Sequence, residues 1–188
     1  INERLQLPGH IPVTLAFDKD KEASERAVRG SELLFCLDFN KPDRVGSLET
    51  SLRAAPTKVL IDHHRHPDDF ATVSFSDVSA CSTAQMVFDI ISALGHADLI
   101  DTDAATCLYT GIMTDSGSFR FSSTTPHTLE VAAELMKQGV VPERIHEAIM
   151  DDNTELRLKL LGFALNERLT LYPELRTAMI VLSNDDLT

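Results

Sequence analysis

Basic residues are scarce in this chain. Lysine and arginine number 17 against 29 aspartates and glutamates, a formal charge of −12 over 188 residues. A surface of that sign disfavours duplex DNA, whose binding relies on many cation–phosphate contacts. It leaves room for a small phosphate substrate held by local metal ions, which invert the field around them. Long apolar runs are also missing. None approaches the roughly 18 residues of a membrane-spanning helix, so no membrane partner is expected. Cysteine is limited to Cys36, Cys81 and Cys107, far apart in apolar contexts. They read as buried free thiols, which points to the cytoplasm. There is no CxxC for structural zinc, no Gly-rich triphosphate loop ending in GKS or GKT and no nucleophile elbow for a serine triad. Internal repeats and low-complexity tracts are absent. The chain opens at Ile1 with neither Met nor a leader-type apolar segment, which reads as a piece of a longer polypeptide.

What is present suffices for a core: 43% hydrophobic and 24% charged residues describe a globular chain. A Pro8-Gly9 turn precedes a short strand in HIPVTLAF, and a charged helix in KDKEASERAVRG ends at Gly30. Leu33 to Leu37 is continuously apolar, the pattern of a strand covered on both faces. KPDRVGSLETSLRAAPT passes from loop to helix and stops at Pro56. Lys58 to Ile61 forms a strand that ends in Asp62, His63 and His64, and ATVSFSD is a further strand or an extended excursion.

Helices follow. CSTAQMVFDIISALG carries a Ser79 or Ser82 cap and an inward stripe of Met86, Val87, Ile90, Ile91 and Leu94. Another runs from Asp101 or Thr102 to Asp115, a third from Pro126 to Gly139, and a fourth begins near Pro142. The longest is expected in TELRLKLLGFALNERLTLY, with Leu156, Leu160, Phe163 and Leu169 near one face, before a lone strand at Thr177 to Leu182. The alternation predicts an α/β fold, a parallel β-sheet flanked by helices.

Two strands deliver an acid at their carboxyl ends, Asp38 and Asp62, and open α/β sheets present their chemistry at that edge. From its own position alone Asp38 is equally a turn cap in FNKPD. Adjacent histidines cannot both point the same way from an extended chain. One of His63 and His64 can ligate a metal while the other faces substrate, and Asp62 can orient an imidazole by accepting its second N–H. Asp115 closes an apolar helix before SGSFRFSSTT, a turn whose backbone amides, together with Arg120, suit phosphate oxygens. His127, beside Pro126, reads as a helix-start residue near that loop. Asp38, His63 and Asp115 offer oxygen and imidazole donors without thiolate, a set that suits Mn²⁺ or Mg²⁺ better than Zn²⁺.

The ordered blocks CLDFN, LIDHH, FSDVSACSTAQMVFDII and LYTGIMTDSGSFRFSSTT, with RLKLLGFAL and LSNDDL after them, resemble the DHH family of phosphoesterases over essentially the whole chain. They are most similar to the bacterial oligoribonuclease and phosphoadenosine-phosphate phosphatase group, in a Bacteroidetes-like version. The resemblance implies two Mn²⁺ ions at the sheet edge, with Asp38 bridging them and His63 and Asp115 on one ion. It further implies Asp62 behind the ligands, His64 toward the scissile phosphate, and Ser118 and Arg120 as substrate contacts. It implies a domain plan as well: a DHH catalytic domain over 1–153 without its N-terminal part, a linker helix over 154–170, and the start of a C-terminal substrate-binding domain over 171–188. The family's first motif, of H-x-x-x-D-x-D type, and its GGGH-type loop have no counterpart in this sequence.

The expected activity is hydrolysis of short nucleotides by metal-activated water. The substrates would be oligoribonucleotides, cyclic dinucleotides or their linear products, or phosphoadenosine phosphate, and the resemblance allows a homodimer. Two alternatives are an inorganic pyrophosphatase-like hydrolase and a nucleotide-binding regulatory module without catalysis. With the first motif absent, the chain by itself is expected to bind metal weakly and hydrolyse little. Titration with Mn²⁺ checks this, and tight stoichiometric binding of two ions would overturn it.

Overall fold

The computed structural model describes residues 19–150 and 154–187. The Pro8-Gly9 turn and the strand expected in HIPVTLAF lie outside the described residues. The chain divides into two compact units, one running to Pro142 and the other built mainly from Glu143 onward.

In the larger unit, helix α1 (Lys21–Gly30) begins where Asp20 accepts a hydrogen bond from the Ala23 amide at 3.0 Å, an N-cap that satisfies one of the orphan donors of the first turn. Strand β1 (Leu34–Leu37) follows, then a 3₁₀ stretch (Pro42–Leu48), helix α2 (Glu49–Ala54), and strands β2 (Lys58–Asp62) and β3 (Val73–Ser76). The three strands form a parallel sheet in the order β1-β2-β3. ATVSFSD is therefore a strand, with Val73 opposite Val59. Lys58 is buried at the start of β2, and its Nζ donates to the Ala55 carbonyl at 2.6 Å. This cation satisfies the carboxyl end of α2.

Side chains alternate between the two faces of a strand. Cys36 and Leu60 pack with Leu52 of α2 on one face. Ile61 packs with Ala80 and Met86 on the other, flanked by Val59, Val87 and Ile90. Cover on both faces holds for β2 and fails for β1. Phe35 and Leu37, on the face shared with Val59 and Ile61, are 55% and 44% exposed. The reason is that the narrow stripe Met86–Val87–Ile90 lies over the central strand.

That stripe belongs to α3 (Thr83–Ala93), whose cap is Ser82: its Oγ accepts from the Gln85 amide at 3.1 Å. Leu94, expected inside, is the C-cap residue and 67% exposed. Helix α4 (Thr102–Asp115) is capped by Asp101. Helix α5 (Pro126–Lys137) opens with a capping box between Thr125 and Thr128, and the buried Thr128 hydroxyl also donates to Gln85 Oε1 of α3 at 2.8 Å. Cys36 and Cys81 are buried as expected, whereas Cys107 is exposed. It lies opposite the inward Ala105, Tyr109 and Ile112 stripe of α4.

Beyond α6 (Pro142–Ile149), helix α7 spans Glu155–Glu167. It stops short of the expected end, and at 13 residues it is shorter than the 14 of α4. Leu169–Tyr172 is instead strand β4, antiparallel to β5 (Thr177–Ile180), with Leu169 opposite Ile180. The expected helical Leu169 and the lone strand to Leu182 are thus two arms of one hairpin. Its turn runs through Pro173–Leu175 and Arg176, which takes the left-handed conformation at φ +48°. LTLY joins β-branched and aromatic residues suited to a pleated strand. Among the described residues no helix is long and apolar enough to cross a membrane.

Helices α3 and α4 approach closely at Gly111, where an added Cβ would lie 2.7 Å from Ala84 Cβ. Gly111→Ala is therefore expected to destabilise. Overpacking costs about 1–3 kcal/mol, and roughly 1 kcal/mol of regained helix propensity offsets part of it. Urea unfolding of Gly111→Ala, Ala84→Gly and the double variant checks this. The double variant should be less destabilised than the two singles added together.

Candidate metal centre

Leu37 stands opposite Ile61 in the parallel ladder, so Asp38, just past the end of β1, comes level with Asp62, the last residue of β2. The Asp38 amide still donates to the Ile61 carbonyl at 3.2 Å. Its φ of +67° then turns the chain out of the strand, a left-handed conformation that aspartate tolerates better than most residues. The buried Thr83, first residue of α3, donates its hydroxyl to Asp38 Oδ1 at 3.0 Å.

The two adjacent histidines are held by different means. His63 Nδ1 lies 3.3 Å from the Ala80 carbonyl. A carbonyl only accepts, so Nδ1 carries the proton in that contact and the neutral ring keeps its lone pair on Nε2. That Nε2 is 3.6 Å from Asp38 Oδ1 and 3.7 Å from Asp115 Oδ2. His64 is fastened to the fully buried Asp62: Nδ1 is 2.7 Å from Oδ1, and the His64 amide donates to Oδ2 at 3.1 Å. Asp62 therefore orients His64, while His63 takes its orientation from a backbone carbonyl. The rings meet edge to face, with centroids 4.8 Å apart.

Asp115, the last residue of α4, completes the group from the other side. Burial pushes its carboxyl pKa up, the Asp38 charge pushes it further, and His63 and His64 offset part of this. The separations of 3.6 and 3.7 Å are too long for hydrogen bonds. Ligand atoms of Asp38, His63 and His64 also lie within 4.8 Å of one another. The carboxylate of Asp38 with the imidazoles of His63 and His64 makes a group that can hold a divalent cation, and Asp115 lies beside it, 3.7 Å from His63 Nε2.

The turn after Asp115 is folded on itself. Amides of Ser118, Phe119 and Arg120 donate to the Met113 carbonyl, Ser116 Oγ and the Ser116 carbonyl respectively, so these donors are engaged locally instead of being displayed to an anion. Arg120 Nε donates to the Gly117 carbonyl at 2.7 Å. Neither Ser118 nor Arg120 has a hydrogen bond or ion pair to the four residues of the centre. Gly117, at φ +56°, admits no side chain, because a Cβ there would meet the Phe121 ring at 2.5 Å. His127 pairs with Asp89 at 2.9 Å and lines a cavity of about 640 Å³ along β3 and α3 whose walls include none of the centre's residues. Sequence reasoning missed Thr83 and the Ala80 carbonyl. The available signal was Thr83 beside a cap serine, but only the fold shows that this helix start meets Asp38.

A family model described as DHH family, N-terminal domain, matches residues 3–112. The bifunctional oligoribonuclease and PAP phosphatase NrnA of Thermus thermophilus is 41% identical over 107 residues, covering 57% of this chain and 31% of that protein. Its namesake in Bacillus subtilis is 31% identical over 104 residues, covering 55% and 33%. The matched segment spans about a third of these curated relatives. Among solved structures, an exopolyphosphatase-related protein from Bacteroides fragilis superposes with a TM-score of 0.90 at 30% identity, over 96% of this chain and 53% of that one.

With its pKa raised, Asp115 holds its proton to higher pH in the folded chain than in the unfolded one. Its contribution to stability is full below the usual carboxylate range and is lost as pH rises through the raised value. In metal-free buffer, Asp115→Asn should match the parent at acidic pH and be the more stable of the two near neutrality. Denaturation midpoints across pH in the presence of a chelator check this.

Proposed function

The chain belongs to the DHH family, and from that premise we propose that it is a metal-dependent phosphoesterase acting on short nucleotides. The substrates proposed are oligoribonucleotides of a few units, linear products of cyclic dinucleotides, and phosphoadenosine phosphate. The observation that carries this reading is the convergence of Asp38 and Asp115 on the free Nε2 of His63, at 3.6 and 3.7 Å. Relatives that share this segment are named as bifunctional oligoribonuclease and PAP phosphatase enzymes.

In this reading Asp38, His63 and Asp115 hold the cation, with Mn²⁺ preferred, Mg²⁺ accepted, and two ions in a complete site. The bound cation supplies a water acidified enough to act as nucleophile near neutral pH. Thr83 steadies Asp38, and the Ala80 carbonyl keeps the His63 lone pair directed at the centre. His64, anchored through Nδ1 to Asp62, presents Nε2 to the phosphate. Ser118 and Arg120 are proposed substrate contacts, Arg120 exchanging its bond to the Gly117 carbonyl for a phosphate oxygen. A net charge of −12 repels long polyanions and favours short ones. Two buried free thiols, Cys36 and Cys81, fit a reducing cytoplasm.

A second reading, hydrolysis of a phosphoanhydride as in inorganic pyrophosphatase, is favoured by the exopolyphosphatase-related description of the Bacteroides fragilis structure. Product release from pApA, a dinucleotide RNA, phosphoadenosine phosphate and pyrophosphate, assayed side by side with Mn²⁺ in the longest polypeptide carrying this sequence, separates the two. Asp38→Asn and His63→Ala should each lose more than the roughly 10–100-fold that altering an outer partner of a metal site costs. Asp62→Asn should fall within that range. Full activity in Asp38→Asn, or no turnover of any of the four substrates, would refute the reading.

A further inference from the structure

Asp38 and His64 line a cavity of about 350 Å³ together with Phe39, Asn40, Arg44 and Val45. That is the lower end of the roughly 300–1,000 Å³ spanned by small-ligand pockets. Its lining thus combines the acid and imidazole of the metal centre with the guanidinium of Arg44. No hydrogen bond or ion pair of the Arg44 side chain is present among the described residues. Several other cations of this acidic chain are paired, among them Arg26 with Glu22 at 3.5 Å, Lys41 with Asp68 at 3.9 Å and Arg53 with Glu49 at 2.8 Å. Among the described residues Arg44 has no such partner, although Asp43 is its neighbour in sequence and Asp38 shares its cavity.

The loop that carries Arg44 is braced. The Arg44 amide donates to the Lys41 carbonyl at 3.1 Å. Asn40 donates to the Arg65 carbonyl at 2.7 Å and accepts from the Asp68 amide at 2.8 Å, tying the stretch after β1 to the stretch after β2. Phe39 stacks on Phe70 with centroids 6.0 Å apart. Gly46 breaks the 3₁₀ stretch at φ +56° and ψ −128°, two residues after Arg44.

Carboxylates repel phosphate oxygens, and a cation bound among them reaches only the oxygens that face it. A guanidinium in the same cavity supplies paired donors in the fork that suits phosphate. We propose that Arg44 is the phosphate-recognition residue of this site, holding non-bridging oxygens of a phosphate seated in the cavity it lines with Asp38 and His64. The proposal rests on the phosphoesterase reading above and adds to it the residue that selects a phosphate group.

The test titrates inorganic phosphate into the full chain at saturating Mn²⁺, with thermal stability and Mn²⁺ affinity measured in parallel. Arg44→Gln should keep both at parent values and bind phosphate roughly 10- to 100-fold more weakly, the loss of a charge-assisted pair. Arg44→Lys should recover part of the affinity, because it restores the charge without the fork. In turnover assays the glutamine variant should raise KM more than it lowers kcat. Unchanged phosphate affinity in Arg44→Gln with Mn²⁺ binding intact would overturn the assignment and leave the phosphoesterase reading standing. Arg44-dependent phosphate binding by a parent that hydrolyses none of the four substrates would support the phosphate site and sink that reading instead.

Discussion

The register of β1 against β2 is the constraint on which the rest of this structure depends. Leu37 sits across from Ile61 in a parallel ladder, so Asp38, just past β1, and Asp62, the last residue of β2, lie level at the same edge. A slip of one residue would exchange the two faces of a strand. It would take Cys36 and Leu60 out of the core they share with Leu52. Burial thus enforces the register, and the register brings the polar groups together. The core and the candidate centre are two consequences of one pairing.

Holding those groups together works against their charges. Asp38 and Asp115 face a single imidazole nitrogen, and burial and repulsion by Asp38 push the Asp115 pKa up, which His63 and His64 offset only in part. The surroundings prevent escape. Thr83 ties Asp38, the Ala80 carbonyl ties His63, and the buried Asp62 ties His64. The close approach of α3 and α4 at Gly111, one turn before Asp115, sets how near the last carboxylate can come. An arrangement strained in this way is preorganised for positive charge, because a divalent cation relieves the repulsion without requiring the ligands to move far.

Much of this was legible in the chain. Asp38 and Asp62 each end an apolar run, so strand ends at a carboxyl edge could be argued from pattern. Asp115 closes a helix whose inward residues, Ala105, Ile112 and Met113, are fully or almost fully buried. Other features were not legible. Whether Ser79 or Ser82 capped α3 is decided by which hydroxyl meets the Gln85 amide. LTLY continues the composition of α7 smoothly enough to read as helix, and only pairing with Thr177–Ile180 makes it a strand. Cys107 lies in an apolar context yet faces outward, because sequence neighbours on a helix point in different directions.

By itself the sequence determined the α/β class, the strand that ends in Asp62, His63 and His64, and the kinds of donor available for a cation. Those follow from local properties: the period of apolar residues, cap chemistry, and the ligand preferences of carboxylate and imidazole. Only the tertiary structure decided the partnerships. It assigned Asp62 to His64 and a backbone carbonyl to His63, brought Thr83 to Asp38 across 45 residues, and set Arg44 in one cavity with Asp38 and His64. Contacts between residues distant in the chain depend on strand register and helix packing, and neither can be read one segment at a time.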